Sequence, residues 1–259
     1  DSDRLVNLGP LALMAAGAAS VAAGAINAMA GGGTLVSFPA LVGLGVPAVS
    51  ANVTNTVSLL PGYLAGSYAQ RDDLRPRLAE ARLLAAVSAV GGLAGSILLI
   101  LLPASVFRAS VPYLILLSCG LLAFGDRLRP TARSGPETPP GPGRQVVLGV
   151  IIFLGAAYGG FIGAGLGIML LALLALFSPE PLTKLNALKQ ALSFVINLVA
   201  AIFFLFSGKV VWVLVPIMAA GSLLGGFIGG RTVKRIDSTL LRRLVVLAGV
   251  AVAISFWVV

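Results

Sequence analysis

A glycine-rich interruption occurs twice in this sequence, at matching places in two related halves. Ala30-Gly31-Gly32-Gly33 recurs as Ala164-Gly165-Leu166-Gly167, which is a shift of 134 positions (164 − 30). The same shift, with no gap, pairs further identical residues: Pro47 with Pro181, Asn52 with Asn186, Gly91 with Gly225, Gly92 with Gly226, Gly95 with Gly229, and Arg108 with Arg242. A constant offset over about 80 positions indicates an internal duplication, and in an apolar chain it predicts a membrane fold built from two repeats.

Composition places both halves in a lipid bilayer. Hydrophobic residues make up 58% of the 259 positions and charged residues 10%, which leaves too little polar surface to cover a soluble protein of this size. Four apolar runs are each long enough to cross, or nearly cross, a hydrocarbon core about 30 Å thick: 8–30, 83–102, 145–177, and 191–206 with its flanks. We therefore expect an all-α polytopic membrane protein in which residues 8–30 belong to the mature fold, since no basic stretch precedes them.

Both halves follow one plan of helical segments. A long apolar run stops at the break, a short apolar segment follows, and three longer segments complete the half. Residues 34–45 give only about 18 Å of helix, too short to span unaided, so each break predicts a broken or re-entrant helical hairpin. The predicted helices are 8–30, 34–45, 47–67, 79–102, 106–125, 145–163, 168–177, 181–206, 210–229 and 240–259. The repeats are 1–125 and 145–259, joined by a linker, 126–144, rich in Pro, Gly, Ser and Arg.

Basic residues indicate how the two halves are oriented. The first half concentrates them in the loop at 70–82 and has only Arg108 in the turn at 103–110. The second half reverses this ranking, with Lys209 alone in the loop equivalent to the first and five in the loop equivalent to the second: Arg231, Lys234, Arg235, Arg242 and Arg243. Because cytoplasmic loops carry the excess of Lys and Arg, equivalent loops lie on opposite sides of the membrane. We therefore expect inverted-topology repeats, a cytoplasmic linker and external termini, in the inner membrane of a bacterial-type cell.

Several classes of function are disfavoured by the sequence. The net charge of +9 resides in short loops, where it sets topology, so nucleic acid is not an expected partner. The chain has no histidine and a single cysteine, Cys119, so we expect no metal site, no cofactor and no intrachain disulfide. Neither break is followed by the Lys-Ser/Thr of a nucleotide-binding loop. We do not expect an enzyme, because no nucleophile and base pattern is present.

The two breaks are the first candidate for a binding site. Three consecutive glycines end a helix, and backbone without helical partners is tolerated at membrane depth only where it lines a cavity or is buried in protein. Amides at the start of the following helix attract an anion through hydrogen bonds and the helix dipole. We expect the amides of 32–34 and 166–168 to point at one anion, in a site lined by Gly31, Gly32, Gly33, Thr34, Gly165, Leu166 and Gly167.

A polar stripe on the helix after each break is the second candidate. In the second half its members recur at spacings of three, four and seven, which places them on one helix face: Asn186, Lys189, Gln190, Ser193 and Asn197. The equivalent positions of the first half carry Asn52, Asn55 and Thr56, with Tyr63 further along, and Thr54 and Ser58 widen the same face. Polar residues in membrane helices face inward and mark the substrate route. Lys189 either contacts the substrate or extends its long side chain to the cytoplasmic interface.

These motifs together resemble the sulfite exporter TauE/SafE family over nearly the whole chain. The resemblance rests on the Gly-Gly-Gly-Thr break at Gly31, on Gly165 and Gly167, on the Thr54-Asn55 pair and on the pairing of repeats. It implies a membrane permease that exports sulfite or small organosulfonates. Where a typical second repeat has a small polar pair, this chain has Lys189-Gln190, which favours an anion with stronger charge pairing.

The sequence therefore predicts a transporter that moves a small oxyanion, sulfite or an organosulfonate, outward through a site near the bilayer midplane between the repeats. An inside-negative potential expels an anion by about 2.3 kcal/mol per charge per 100 mV, so export needs no coupled ion. Two alternatives stay open: a cation-coupled importer of a small anion, and a membrane accessory subunit that transports nothing. A homo-oligomer is compatible with each of these functions.

Overall fold

The computed structural model describes residues 8–124, 142–178, 180 and 182–232, together with a set of helical positions nearer the C-terminus: Arg243, Val246, Leu247, Gly249, Val250, Ala251, Ala253 and Ile254. Within these ranges every regular element is a helix. The predicted linker is thus outside the described residues up to position 141, and the predicted last span, 240–259, is represented only by those separate positions.

The helices of the first half follow the predicted plan closely. They are α1 (Pro10–Met29), α2 (Thr34–Gly43), α3 (Ala48–Ala69), the short α4 (Arg71–Leu74), α5 (Leu78–Leu101) and α6 (Ala104–Phe124). A 3₁₀ turn, Arg75–Arg77, joins α4 to α5. Pro47 lies just before α3 and Pro103 just before α6, where a missing backbone N–H costs no helical hydrogen bond.

The second half repeats the plan in α7 (Pro142–Phe161), α8 (Leu166–Phe177), α9 (Leu182–Leu205) and α10 (Val215–Thr232). One predicted boundary is wrong: the helix expected from residue 210 begins at Val215. Residues 206–214 form turns and extended backbone instead, and Gly208 has a φ of +68°. The amide of Val211 donates to the Thr54 hydroxyl across 2.9 Å, so a contact from the other half replaces a helical hydrogen bond.

The outer surface of the helices is apolar, as a bilayer requires. Leu11 is 80% exposed and Phe206 85% exposed, and large apolar side chains are also exposed along α5, α7 and α10. A soluble protein rarely exposes so much contiguous apolar surface. Three helical stretches are long and apolar enough to cross a membrane within the described part of the chain: Pro10–Met29, Arg71–Leu101 and Lys184–Leu205. The described part of the chain is therefore all-helical and has the apolar surface and the long helices expected of a multi-pass membrane protein.

Glycines allow helices of the two halves to pack in close contact. On α10, a Cβ added at Gly225 or Gly229 would collide with the α1 backbone, at Val21 or Ala25. The equivalent α5 glycines make the equivalent approach to α7: a Cβ at Gly91 would lie 2.5 Å from the Phe153 carbonyl oxygen. Small residues allow such close helix contacts in membranes. Each half therefore packs one of its later helices against the first helix of the other half.

Candidate functional site

The two glycine breaks meet in the middle of the molecule. Gly31 has a φ of +83° and Gly165 a φ of +74°, a left-handed conformation that side chains rarely adopt. A Cβ added at Gly31 would lie 2.5 Å from the Gly167 Cα, and one added at Gly167 would lie 2.5 Å from the Gly31 Cα. The chain segments before α2 and at the start of α8 are therefore in backbone contact, and residues 31–35 and 162–170 are all buried.

Four backbone amides at this crossing have no protein acceptor among the described residues: those of Gly32, Thr34, Gly167 and Ile168. The other two amides expected to face an anion are engaged within the protein. The Gly33 amide donates to Asn27 Oδ1 at 2.7 Å, and the Leu166 amide donates to the Gly163 carbonyl at 3.1 Å. The expectation for those two amides is therefore wrong. Their acceptors are local, since Asn27 is six residues before Gly33 and Gly163 is three residues before Leu166.

The start of α2 and the start of α8 also bring two helix dipoles together. The N-terminal end of a helix carries a partial positive charge, and helices of ten and twelve residues are long enough to develop it. Since the break before α2 touches the first turn of α8, both positive ends lie at the same buried place. A buried cluster of N–H donors and positive dipole ends favours an anion.

Lys189 adds a basic side chain beside this crossing. Its side chain is fully buried, and its stem passes Gly167, where an added Cβ would lie 3.1 Å from Lys189 Cδ. The ammonium donates to the Asn27 carbonyl at 3.0 Å and to Gln190 Oε1 at 3.3 Å. The lysine therefore turns inward to the break, and extension to an interface is not what the structure shows. Within the described part of the chain, no carboxylate forms a salt bridge with it.

Carbonyls in the last turn of α1 accept hydrogen bonds from side chains of α9 and from Gln70, the residue after α3. Asn186 Nδ2 on α9 donates to the Ala28 carbonyl at 3.1 Å and to Gln70 Oε1 at 2.6 Å. Gln70 Nε2, just after α3, donates to the same Ala28 carbonyl at 3.2 Å. With Lys189 on the Asn27 carbonyl, these side chains satisfy carbonyls that the end of a helix leaves without partners. They also close one side of the crossing with a hydrogen-bonded carboxamide pair.

Tyr63 connects both repeats at the centre of the site. Its side chain interacts with the side chain of Thr34, the first residue of α2, and with that of Asn197 on α9. Its carbonyl accepts a hydrogen bond from Gln190 Nε2 at 3.5 Å. Asn197 Nδ2 in turn donates to the Ser193 carbonyl at 2.8 Å. The polar stripe of α9 thus faces α3 and the first break, as the helical spacing predicts.

The first half has a comparable arrangement on its own helix α3. Asn52 Nδ2 donates at 3.0 Å to the carbonyl of Phe161, the last residue of α7. Thr56 donates to the Asn52 carbonyl at 2.9 Å. The side-chain oxygens Asn52 Oδ1 and Asn55 Oδ1 are buried without a hydrogen-bond partner within the described residues. Buried polar atoms of this kind usually have a partner, so two adjacent ones call for an explanation.

The structure gathers most of the predicted site residues but separates two of them. Leu166 points away from the crossing, and its methyl groups pack where a Cβ of Gly159 on α7 would lie. The Thr54 hydroxyl accepts a hydrogen bond from the Val211 amide, which lies in the segment after α9. Both residues support the site from outside it. The remaining predicted residues surround the crossing or the helix ends beside it: Gly31, Gly32, Gly33, Thr34, Asn52, Asn55, Gly165, Gly167, Asn186, Lys189, Gln190, Ser193 and Asn197.

Sequence reasoning missed three residues of the site. Asn27 was hidden in an apolar run, although it is the last amide side chain before the triple glycine, and that position was a signal. Gln70 lies at the start of the predicted charged loop, 70–82, yet it is only 4% exposed and accepts a hydrogen bond from Asn186. Tyr158 donates to the Ala164 carbonyl at 2.5 Å and so holds the second break in shape. Only the three-dimensional contacts distinguish these residues from packing residues.

Within the described part of the chain, no group of three or more His, Cys, Asp or Glu side chains could hold a metal ion. The described acids lie at helix ends. Arg77 contacts two of them, Glu80 Oε2 at 2.7 Å and Glu180 Oε2 at 3.7 Å, and Asp72 lies 3.6 Å from Arg75 in an exposed pair. The charge of the buried crossing is therefore set by Lys189.

Comparison with known proteins shows the family of the chain. The sequence profile described as "Sulfite exporter TauE/SafE" matches residues 16–256. A "Probable membrane transporter protein" of Haemophilus influenzae is 31% identical over 225 residues, which cover 86% of this chain and 85% of that protein. "Probable membrane transporter protein ORF9" of a Sinorhizobium species is 29% identical over 238 residues, covering 91% and 88%.

A third relative, "Probable membrane transporter protein YfcA" of Escherichia coli K12, is 27% identical over 231 residues, which cover 87% of this chain and 82% of that protein. No solved structure matches the chain. The profile spans both breaks and both polar stripes, so the shared sequence includes the buried crossing. The chain belongs to the sulfite exporter TauE/SafE family of membrane transporters.

Proposed function

We propose that this transporter carries a small oxyanion, sulfite or an organosulfonate, and that the anion binds where the two breaks cross. One observation carries the proposal: the fully buried ammonium of Lys189 has no described carboxylate as a partner and lies beside backbone amides without acceptors. An unpaired charge is costly to bury, and an anion with several oxygens would both neutralise it and accept from the amides. The name of the family supports sulfite as the first candidate.

We further propose that the repeats have inverted topology. The end of α3 meets the start of α9 through Gln70 and Asn186, and the start of α3 meets the segment after α9 through Thr54 and Val211. The helices α3 and α9 are equivalent in the two halves, and these contacts place them antiparallel. Antiparallel equivalents are what an inverted repeat requires, and the charges of the loops support the same arrangement.

The proposed direction is outward across the inner membrane of a bacterial-type cell, with external termini and a cytoplasmic linker. In that orientation the inside-negative potential drives an anion out by about 2.3 kcal/mol per charge per 100 mV. The repeats, 1–125 and 145–259, then move against each other around the crossing. An importer coupled to a cation is the second candidate, and the unpartnered oxygens of Asn52 and Asn55 favour it.

Flux from proteoliposomes tests the proposed function. Vesicles containing the purified chain are loaded with sulfite, methanesulfonate, sulfate or acetate, and a potassium gradient with valinomycin sets the potential. We expect sulfite or methanesulfonate efflux to rise above that of protein-free vesicles and to increase as the interior becomes more negative. Efflux of all four anions at the protein-free rate would contradict the proposal. Uptake of an external anion that requires an inward sodium gradient would favour the cation-coupled importer.

A further inference from the structure

The offset between the halves relates Lys189 to a position without charge. Lys189 corresponds to Asn55 (189 − 134), and Asn27, whose carbonyl accepts from the ammonium, corresponds to Phe161 (27 + 134). The Phe161 carbonyl lies at the end of α7 and accepts from Asn52 Nδ2 at 3.0 Å. The first half thus has the carbonyl, at the negative end of a helix, but lacks the cation that the second half places there.

Two buried oxygens lie on the face of α3 that carries this position. Asn52 and Asn55 are each 1% exposed, and their Oδ1 atoms have no donor among the residues that the structure describes. Residues three apart share a helix face, so the two carboxamides are neighbours. The orientation of Asn52 is fixed, since its nitrogen must be the atom that meets the Phe161 carbonyl. Acceptor oxygens repel an anion, so these atoms call for a different ligand.

We propose that Asn52 Oδ1 and Asn55 Oδ1 contribute to a site for a monovalent metal cation, with Na⁺ as the ion to test, at the position equivalent to the Lys189 ammonium. Hard cations prefer uncharged and charged oxygen ligands, and helix C-terminal ends in discontinuous membrane helices coordinate such ions. Two further oxygens lie near Asn52: the Phe161 carbonyl, 3.0 Å from Asn52 Nδ2, and the hydroxyl of Thr56, equivalent to Gln190 (190 − 134), which donates to the Asn52 carbonyl. A cation bound in the first half then has the same role as the Lys189 ammonium in the second half.

This site has a consequence for transport, and that consequence rests on the proposed function. An oxyanion at the crossing would lie between a fixed cation, Lys189, and an exchangeable one beside Asn55. Each bound ion lowers the cost of burying the other, so binding of sodium and of the anion should be positively coupled. The site itself does not depend on this coupling, because cation binding can be measured with no anion substrate present.

Thermal unfolding of the purified full-length chain measures that binding directly. Sodium chloride replaces choline chloride at constant ionic strength, so only the identity of the cation changes. A ligand that binds the folded state alone raises the unfolding midpoint in a saturable way. We expect such a rise with sodium and none with choline. A midpoint that is the same in both salts overturns the proposal, whatever the anion flux experiment shows.

Variants of Asn55 locate the site. Asn55→Lys copies the second half and supplies the cation permanently, so its midpoint should no longer respond to sodium. Asn55→Asp keeps the shape and adds a carboxylate, and it should lower the half-saturating sodium concentration about tenfold or more. Ser88→Ala is the matched control, because Ser88 is also buried with an unpartnered oxygen but lies on α5 and not on the helix that carries Asn52 and Asn55. Its sodium response should equal that of the original chain.

The outcomes separate the proposal from its alternatives. A sodium response that is retained in Asn55→Lys and unchanged in Asn55→Asp places the cation elsewhere and overturns the proposal. If Asn55→Lys does not fold, the affinity of Asn55→Asp decides the location by itself. If the sodium response behaves as expected while no oxyanion is transported, the cation site stands and only the proposed function fails.

Discussion

Tyr63 and Asn197 are equivalent positions of the two repeats (197 − 63 = 134), and their side chains lie close enough to interact with each other. A residue that touches its own equivalent must lie near the axis that relates the repeats. Tyr63 also interacts with Thr34 at the start of α2. The centre of the molecule is therefore a set of polar contacts between halves, and it lies where the proposed oxyanion site is formed.

The sidedness of the loops is the first prediction. Single cysteines at Ser134 and Ser238, both outside the described residues, should react only with a reagent added to the cytoplasmic side, in a Cys119→Ala background. Cysteines at Ser105 and Ser207 should react only from outside. Impermeant thiol labelling of intact cells and of inverted vesicles provides the measurement. Labelling of all four positions from one side would contradict inverted repeats.

The contact between the breaks is the second prediction, and two glycines with almost the same backbone conformation test it. Gly31 has a φ of +83° and touches Gly167, whereas Gly45 has a φ of +86° and nothing within 4 Å of an added Cβ. Gly45→Ala should cost only backbone strain, about 1–2 kcal/mol. Gly31→Ala should cost about 1–3 kcal/mol more because it also forces two backbones apart.

The measurement for these glycines is the thermal midpoint together with anion flux per folded molecule. About 1 kcal/mol corresponds to roughly 2–4 °C for a chain of this size. Gly31→Ala should lose flux beyond its loss of folded protein, and Gly45→Ala should keep its flux. Equal effects of the two substitutions on both quantities would mean that the crossing of the breaks has no special role.

The helices of this fold could largely be predicted from the sequence, because apolar runs and Pro or Gly positions mark where membrane helices start and stop. The boundary at Val215 could not. Residues 210–213 are Val-Val-Trp-Val, which look helical in a membrane, and only the bond from the Val211 amide to Thr54 explains why they are not. That partner is 157 positions away in the sequence (211 − 54), beyond the reach of any local pattern.

The carboxamide pair that closes one side of the crossing is the third prediction. Gln70 Oε1 and Asn186 Nδ2 are 2.6 Å apart and buried, so Gln70→Leu and Asn186→Leu should each leave a buried amide without its partner, at about 1–3 kcal/mol. The double substitution should cost less than the sum, with a coupling of about 0.5–3 kcal/mol. Midpoints of the four proteins form the cycle. Strict additivity would show that the contact contributes no interaction energy.

The candidate site could be predicted in part. Helical spacing put Asn186, Lys189 and Gln190 on one face, and the structure has them on one face. The partners of these side chains could not be predicted, since the stripe does not reveal that Lys189 reaches the Asn27 carbonyl instead of an interface. Likewise, the run of glycines predicts backbone amides without helical partners. It does not predict that the Gly33 amide donates to Asn27 Oδ1.

Binding of sulfite to purified protein with Lys189 replaced is the most direct test of the central claim, measured by calorimetry beside the thermal midpoint. Lys189→Met removes a buried charge without leaving a described carboxylate unpaired, but it takes the donor from the Asn27 carbonyl and Gln190 Oε1, so the stability should fall by no more than about 1–3 kcal/mol. Loss of a charged hydrogen bond, about 1.5–3 kcal/mol, should weaken sulfite binding about 10- to 150-fold. Lys209→Met, at an exposed lysine, is the control and should bind normally. Normal sulfite affinity in Lys189→Met would contradict an anion site at the crossing of the breaks.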